Sequence, residues 1–397
     1  MKFQDSIEYQ LLPIPFMVLT LCGTWCPENW SKKRKRIYKC VTTVLVSLGI
    51  ILLVEMLVFI IVKSGKDNID LENIFATICI AVGLYKKINI LYHRPKLMNF
   101  ISNYTKNEWN KPKNFEEATI HLNILSETRY ISYAYAAFIL VSIIFRSITP
   151  ILESGTFIIL PLDACYPYNA DNFIAFSLTY LHQIISGVTL TCMHIGTDTL
   201  FVGLLLQMNY QLHILKNRLR QLGNSKTYKN NTQTIKDREL FIKSKISQRV
   251  REHESIFRFG YDLQKTFKPI LMAQMVVVVP SVIINVYFLS IYTDRLNLKY
   301  FMTFFFALVS LMQIYMFCWY GNEILLSSSD VGDALYESNW FALDQSTKKI
   351  MLTMITRSSK IFLISAVAII PLDIDTFIKI MKTSYSAFNL LQRTTAQ

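Results

Sequence analysis

The sequence predicts an all-α polytopic membrane protein with seven transmembrane helices, and three observations carry that expectation. Mean hydropathy over the 397 residues is +0.31. Only 17% of residues are charged, against about a quarter in an ordinary soluble domain. The apolar residues also gather in runs of about twenty, long enough at 1.5 Å per residue to cross a hydrocarbon core of roughly 30 Å. Backbone groups in lipid must pair internally, so such runs are helices.

The first apolar run, Leu11–Cys22, contains Pro13 and Pro15, and the basic cluster Lys32–Arg36 follows it. A cleavable signal has its charge upstream. The run is therefore expected as a short segment lying on, or dipping into, the membrane interface. Val41–Val62 is the first span, with Glu55 its only charge. Ile74–Tyr92, interrupted by Lys86 and Lys87, is the second. Tyr130–Ile148, Phe173–Cys192, Pro269–Tyr292 and Tyr300–Tyr320 are the third to sixth. The connection Pro150–Asn172 is apolar and aromatic, with three acids and no bases. Two readings of it are open: a lid folded back over a cavity between helices, or a packed surface loop.

The fourth helix does not stop at the membrane. Its pattern runs on through His194, Asp198, Gln207 and Asn209 to Leu222, before Gly223. Residues 225–249 are polar and basic, which suggests a flexible loop, and the pattern resumes through Ile256 and Phe259 into the fifth span. The sixth span continues past Tyr320 through Ile324 and Leu326, and residues 346–364 are amphipathic. Together these predict a helical bundle beyond the membrane whose apolar faces need partners.

The stretch Ile350–Leu391 is long enough for a seventh span but is broken by charges and by Pro371. Ile361–Ile370 is too short to cross and reads as the end of an anchoring segment that turns into the last helix. In that helix Asp375, Lys379, Lys382, Ser386, Asn389 and Arg393 fall at alternating spacings of four and three, one continuous polar stripe. Phe377, Ile378, Met381, Phe388 and Leu391 are placed on the opposite face. A polar stripe cannot face lipid. It faces either a water-filled pore on a symmetry axis or its own bundle.

Basic residues set the orientation. Lys plus Arg number 7 in residues 1–39, 2 in 63–70, 8 in 86–129, none in 149–172, 14 in 209–268, 2 in 293–299, 4 in 321–371 and 3 in 372–397. Rich and poor segments alternate, and basic loops stay cytoplasmic. The N-terminus is thus expected inside and the C-terminus outside. That polarity excludes a G-protein-coupled receptor, whose N-terminus is outside; its inner-end D-R-Y and its N-P-x-x-Y are missing too. The only near match, Asp237-Arg238-Glu239, lies far from the third span. The net charge of +13 belongs mostly to loops facing anionic lipid, and no basic module suited to nucleic acid is present. The three N-x-S/T sequons, at Asn29, Asn103 and Asn230, fall on the expected inner side.

Enzymatic motifs are missing: there is no H-E-x-x-H, G-x-S-x-G, Walker loop or G-x-G-x-x-G. Cys22 and Cys26 lack zinc-site spacing. No catalytic residue, metal or cofactor is expected. The six histidines are scattered, and His182 is expected as a hydrogen-bonded core residue. Glu55 has no repeat partner and no transporter-type internal repeat is visible, so a secondary transporter is weakly supported.

Three features resemble the insect odorant receptor family across nearly the whole chain. They are Gly23, Thr24 and Trp25 with Pro27 ahead of the basic cluster; Tyr336, Glu337, Ser338, Asn339 and Trp340 before the anchoring segment; and the closing Ser384, Tyr385, Ser386, Ala387 and Phe388, similar to the family's S-Y-S-x-F signature. The related gustatory receptors share the topology, but their T-Y-x-x-x-x-x-Q-F ending is missing. The resemblance implies a ligand-gated, non-selective cation channel subunit that forms a heterotetramer with a shared co-receptor. It implies location in the plasma membrane of a sensory neuron dendrite. It also implies a last helix that lines the pore, gated by the apolar residue after the signature, here Leu390 beside Asn389.

On this reading residues 1–37 form a cytoplasmic N-terminal segment, 38–320 the six-helix ligand-binding bundle, 321–371 a cytoplasmic anchor, and 372–397 the pore helix and extracellular tail. Lys379, Lys382 and Arg393 fit a cation pore poorly. Four copies would place twelve positive charges on the axis against eight negative ones from Asp373 and Asp375. A mixed tetramer dilutes that ring. The ligand is expected to be a small apolar odorant. By depth in the outer half of the second to sixth helices, its pocket is expected to hold Thr77, Ile78, Phe138, Val141, Phe145, Phe176, Tyr180, Phe304 and Phe305.

The threading is directly measurable. In intact cells an epitope at the N-terminus should resist surface antibody and one after Gln397 should be stained; surface staining of the N-terminal epitope would overturn the topology.

Overall fold

The computed structural model describes residue 9 and residues 11–63, 71–107, 110–154, 160–168, 172–222, 235–291, 298–367 and 370–395. Its elements are α1 (Pro13–Leu21), α2 (Lys32–Lys63), α3 (Leu71–Lys106), α4 (Phe115–Ser154), α5 (Phe173–Arg220), α6 (Ile235–Ile291), α7 (Leu298–Tyr336), α8 (Gln345–Ser358), a two-stranded hairpin of β1 (Ser365–Val367) and β2 (Ile370–Pro371), and α9 (Ile374–Thr395). Six of these, α2 to α7, are long and apolar enough to cross a membrane. The chain is an all-α polytopic membrane protein apart from the hairpin.

Three helices far outrun a bilayer, as the sequence pattern requires. The 48 residues of α5, 57 of α6 and 39 of α7 correspond to about 72, 86 and 59 Å. Their far ends meet in a bundle held by ion pairs. Arg218 of α5 grips Glu117 of α4 with two bonds, 2.6 and 2.7 Å, and lies 3.6 Å from Glu252 of α6. Lys216 reaches Asp330 of α7 at 3.0 Å. α8 begins where the Asp344 carboxylate accepts from the Ser346 and Thr347 amides, at 3.0 and 3.2 Å.

Three expectations change against the structure. The segment at Leu11–Cys22 does not stand apart from the other helices. It folds as α1 into the bundle, with Leu12, Phe16 and Leu19 fully buried and Trp25 after them. The reason is shape: a β-carbon on Gly203 of α5 would come within 2.6 Å of Leu12, so the missing side chain makes the slot. Second, helix already exists from Ile235, inside the stretch expected as a loop. Ile242 and Ile246, one turn apart, are buried and hold it down. Gly223, residues 225–234 and the sequon at Asn230 lie outside the described residues. Third, residues 361–367 and 370–372 are extended, not helical. The Phe362 amide donates to Ser328 Oγ (3.1 Å), Gln264 to Ser365 Oγ (2.8 Å), and the Leu372 amide to the Ile364 carbonyl (2.8 Å). The segment leads directly into α9. The Glu55 carboxylate lies 3.7 Å from His182 Nδ1. His182 is otherwise bonded to the Leu48 carbonyl at 3.2 Å, the hydrogen-bonded role expected of it.

Between α3 and α5 lies an ion pair buried in apolar surroundings. Lys86 Nζ donates to Asp198 Oδ1 at 2.6 Å, with 0% and 2% of the side chains exposed. Removing one partner of such a pair strands a charge and costs about 3–5 kcal/mol, whereas replacing both with apolar groups is often near neutral. Lys86→Met should therefore cut surface expression and melting temperature in detergent sharply. Adding Asp198→Leu should recover part of the loss, because it removes the stranded charge while leaving the Tyr135 and Gln313 donors without their acceptor. A double variant no better than the single one would show that the pair does not carry this energy.

Candidate functional site

α3, α4, α5, α6 and α7 enclose a cavity of about 200 Å³. That is room for a ligand of the order of ten non-hydrogen atoms. Each helix offers one stripe to it at helical spacing: Ala76, Cys79 and Ile80 from α3, Ile139, Ser142 and Ile143 from α4, and Ile184, Gly187, Val188 and Thr191 from α5. α6 adds Val277, Val278 and Ser281, and α7 adds Met302, Phe306 and Val309. Phe75 and Phe306 close one side edge-to-face, 5.5 Å between centroids.

The segment 160–168 closes over this cavity, and Pro161 and Leu162 line it. Gln183 of α5 clamps the segment by exchanging bonds with both backbone groups of Leu162, 3.0 Å from its N–H and 2.8 Å to its carbonyl. Asn73 donates to the Asp163 carbonyl at 3.1 Å, and the Cys165 amide to the Glu55 carbonyl at 3.1 Å. Of the two readings of Pro150–Asn172, the lid is the one these residues adopt. Residues 155–159 and 169–171 lie outside the described residues.

The other end of the cavity is polar. Tyr135, His194, Gln274 and Gln313 line it and join the Lys86–Asp198 pair. Asp198 Oδ2 accepts from the Tyr135 hydroxyl at 3.0 Å and from Gln313 Nε2. Gln274 Nε2 donates to Gln313 Oε1 at 2.8 Å, and Lys86 Nζ donates to His194 Nδ1 at 3.0 Å. One network thus takes a side chain from each of the five helices that wall the cavity.

None of the nine residues expected in the pocket lines it. Thr77 is buried and bonded to the Asn73 carbonyl of its own helix at 2.7 Å. Ile78 and Phe304 are exposed on the outside of the bundle. Phe138 and Val141 are half-buried beside Ile139 and Ser142, which do line the cavity. Phe145 stacks on Phe305, 5.4 Å between centroids. Phe176 packs near Tyr180, whose hydroxyl donates to the Ser147 carbonyl at 3.0 Å. In α3, α4 and α7 the turns are those expected; in α5 the lining begins at Gln183, a turn beyond Tyr180, and α6 lines the cavity without having been given a residue. The chosen face is off by about one residue, or about 100° of helix rotation. The polar network was visible only as charges inside apolar runs, Lys86 in one and Asp198 beyond another.

The last helix is separate from the cavity. Asp373 caps it, accepting from the Thr376 amide at 2.7 Å. Phe377 and Ile380 pack on the core, and the Phe377 ring lies 5.6 Å from that of Tyr315 on α7. A β-carbon on Gly321 of α7 would fall 2.1 Å from the Leu372 carbonyl oxygen, so only glycine lets the chain enter α9 there. Asp375, Lys379, Lys382, Ser386 and Arg393 are exposed, Asn389 is half-buried, and Leu390 is 68% exposed. The stripe is therefore not covered by its own bundle. Ile378, expected on the packed face, is exposed with it.

The model of the family described as 7tm Odorant receptor matches residues 69–385. Odorant receptor Or1 of Anopheles gambiae is 25% identical over 98% of this chain and 95% of its own length. Odorant receptor 13a of Drosophila melanogaster is 24% identical over 98% and 97%. Among solved structures, the insect olfactory receptor OR5 from Machilis hrabei superposes with a TM-score of 0.82 at 13% identity, covering 97% of this chain and 98% of that one. The same receptor solved in complex with eugenol gives 0.80 at 12% identity. With the family matched over most of its length and the fold shared end to end, this chain belongs to the 7tm odorant receptor family.

Proposed function

We propose that the chain is the ligand-binding subunit of a heterotetrameric, non-selective cation channel, made with a shared co-receptor in the plasma membrane of a sensory neuron dendrite. The observation that carries the reading is the lidded cavity between α3 and α7. It is apolar along its walls, polar at one end and sized for a volatile molecule. The solved relative in complex with eugenol supports a small organic ligand. The inner ends of α5, α6 and α7 with α8 are the cytoplasmic anchor, and α9 lines the pore with Leu390 at the gate. An exposed polar stripe on an otherwise apolar membrane helix supports the pore assignment, since lipid would not accept it. Gating passes from the cavity through α7, where Gln313 of the polar network stands two residues before Tyr315, the ring packed on α9.

Two measurements test the two halves of this reading. A β-carbon at Gly187 meets nothing within 4 Å, and the residue lines the cavity, so a large side chain fits there at the ligand's expense. Gly187→Phe, co-expressed with the co-receptor and challenged with a broad odorant panel, should reach the surface normally yet lose at least about tenfold in potency for every active odorant. Unchanged dose–response curves would remove the cavity from ligand binding.

Lys382→Glu probes the pore. A unit charge about 8 Å from the ion path, at an effective dielectric constant of about 20–80, changes local cation occupancy roughly two- to thirtyfold. Conductance or divalent permeability should rise while the odorant threshold moves little. Normal surface biotinylation with unchanged conductance and selectivity would take the stripe out of the pore.

A further inference from the structure

The turn at Gly23, Thr24 and Trp25 and the basic cluster after it border a second cavity, which shares no lining residue with the first. It measures about 440 Å³ and lies between α2, α3 and the connection from α1 to α2. Side chains of α2 and α3 fix that connection by its backbone. Thr42 Oγ1 donates to the Gly23 carbonyl at 2.6 Å, and Arg94 Nη2 donates to the Cys26 carbonyl. The Tyr38 hydroxyl lies 2.8 Å from the Thr20 carbonyl and 3.0 Å from that of Trp25. The walls are thus held by the fold and do not depend on an occupant.

Three cations line this cavity. Lys35 and Lys39 stand one turn apart on α2, and Arg94 comes from α3. Lys35 gives one donor to the Glu28 carbonyl at 2.7 Å and keeps two. The Arg94 guanidinium lies 5.6 Å from the centroid of the Trp25 ring, which holds it half-buried at the wall. Among the described residues none of the three is within ion-pair distance of a carboxylate. Glu28, exposed, is the only acid among the lining residues. The start of α2 adds to the excess. Lys32 to Arg36 open the helix with no acid in its first turn, so five cations sit at the positive end of its dipole. An anion bound here offsets both.

Depth and the neighbouring surface identify the anion. Lys39 lies two residues before Val41, where the first apolar run begins, and Arg94 two residues after Tyr92, where the second ends. The cavity is therefore level with lipid headgroups. Tyr85, Ile88 and Tyr92 are exposed on α3 at spacings of three and four. Ile88 stands one turn from Leu91, which lines the cavity, so an apolar track leads from its wall into the hydrocarbon. Tyr92, 81% exposed, sits as tyrosines do at a membrane–water interface. A soluble anion uses the cations and leaves that track bare; a phospholipid uses both.

We infer that this cavity holds the headgroup of an anionic phospholipid, its phosphate on Lys35, Lys39 and Arg94 and its acyl chains along the exposed face of α3. With the N-terminus inside, the lipid belongs to the cytoplasmic leaflet, where anionic lipids concentrate.

The test uses the purified full chain in an uncharged detergent, with melting temperature as the readout. Dioctanoyl phosphatidylinositol bisphosphate should raise it saturably, and dioctanoyl phosphatidylcholine should not. Free inositol trisphosphate, the headgroup without chains, should need at least about tenfold more ligand for half the rise. Lys35→Gln with Lys39→Gln should weaken the lipid at least about tenfold. Lys33→Gln with Arg36→Gln removes the same charge from exposed neighbours that do not line the cavity, and should change it less than about twofold. No saturable rise in the wild type overturns the inference without any variant. Equal weakening by the two double variants reduces the effect to diffuse surface charge and also overturns it. A free headgroup as potent as the lipid assigns the cavity to a soluble anion instead, and overturns the lipid.

Discussion

A lysine and an aspartate that meet out of reach of water constrain the rest of this bundle. Neither Lys86 nor Asp198 could stay charged alone in apolar surroundings, so each requires the other at 2.6 Å. The pair then makes further demands. The second oxygen of Asp198 needs donors and receives Tyr135 and Gln313. Another Lys86 proton needs an acceptor and finds His194. Satisfying two charges therefore ties α3, α4, α5 and α7 in one register, and Gln274 adds α6. A network of this kind is worth having only when complete.

The cavity is the counterpart of that knot. Where polar groups draw five helices together, the helices are pinned. Elsewhere the walls mix valine, isoleucine, serine and glycine with larger side chains such as Phe75, Met302 and Phe306, and they leave space between them. Gly187 marks the extreme, with open space where its side chain would be. Gln183 plays at the lid the part that Asp198 plays at the floor, pairing both backbone groups of Leu162 so that a loop can cover an apolar space without orphaned amides.

The sequence made the helices legible because each span is a long apolar run, and made α5 to α7 legible beyond the membrane because their periodicity continues without a break. The stripe on α9 was readable for the same reason: charges at alternating spacings of four and three have one geometric meaning on a helix. The pocket was not readable at residue level. Composition suggests that aromatic residues make an odorant pocket, yet Phe145 and Phe305 spend their rings on one another and Ile78 and Phe304 face outward. Which side of a uniformly apolar helix turns inward depends on packing partners, and a uniformly apolar helix carries little signal of its facing. The partner of Lys86 lies 112 positions away, so its charge could be seen but its role could not. The hairpin before α9 escaped because its stability comes from Ser328 and Gln264 on other helices, not from its own residues.

On the proposed reading, a ligand at one end of α7 acts on α9, which α7 meets near its middle. α7 carries Met302, Phe306, Val309, Ser310 and Gln313 on the cavity, then Tyr315 against Phe377, then Gly321 against the Leu372 carbonyl. All lie on one helix within about 30 Å. The contact at Gly321 is too close to slide, because a carbonyl sits where a side chain would be. On the proposed reading, a shift of α7 at the cavity carries the entry of α9 with it. Proteins transmit such shifts through packed cores that have discrete arrangements rather than elastic ones. On the proposed reading, a ligand in the cavity favours one arrangement of α6 against α7, whose side chains meet at the Gln274–Gln313 bond, and α9, packed on both, moves or stays with it.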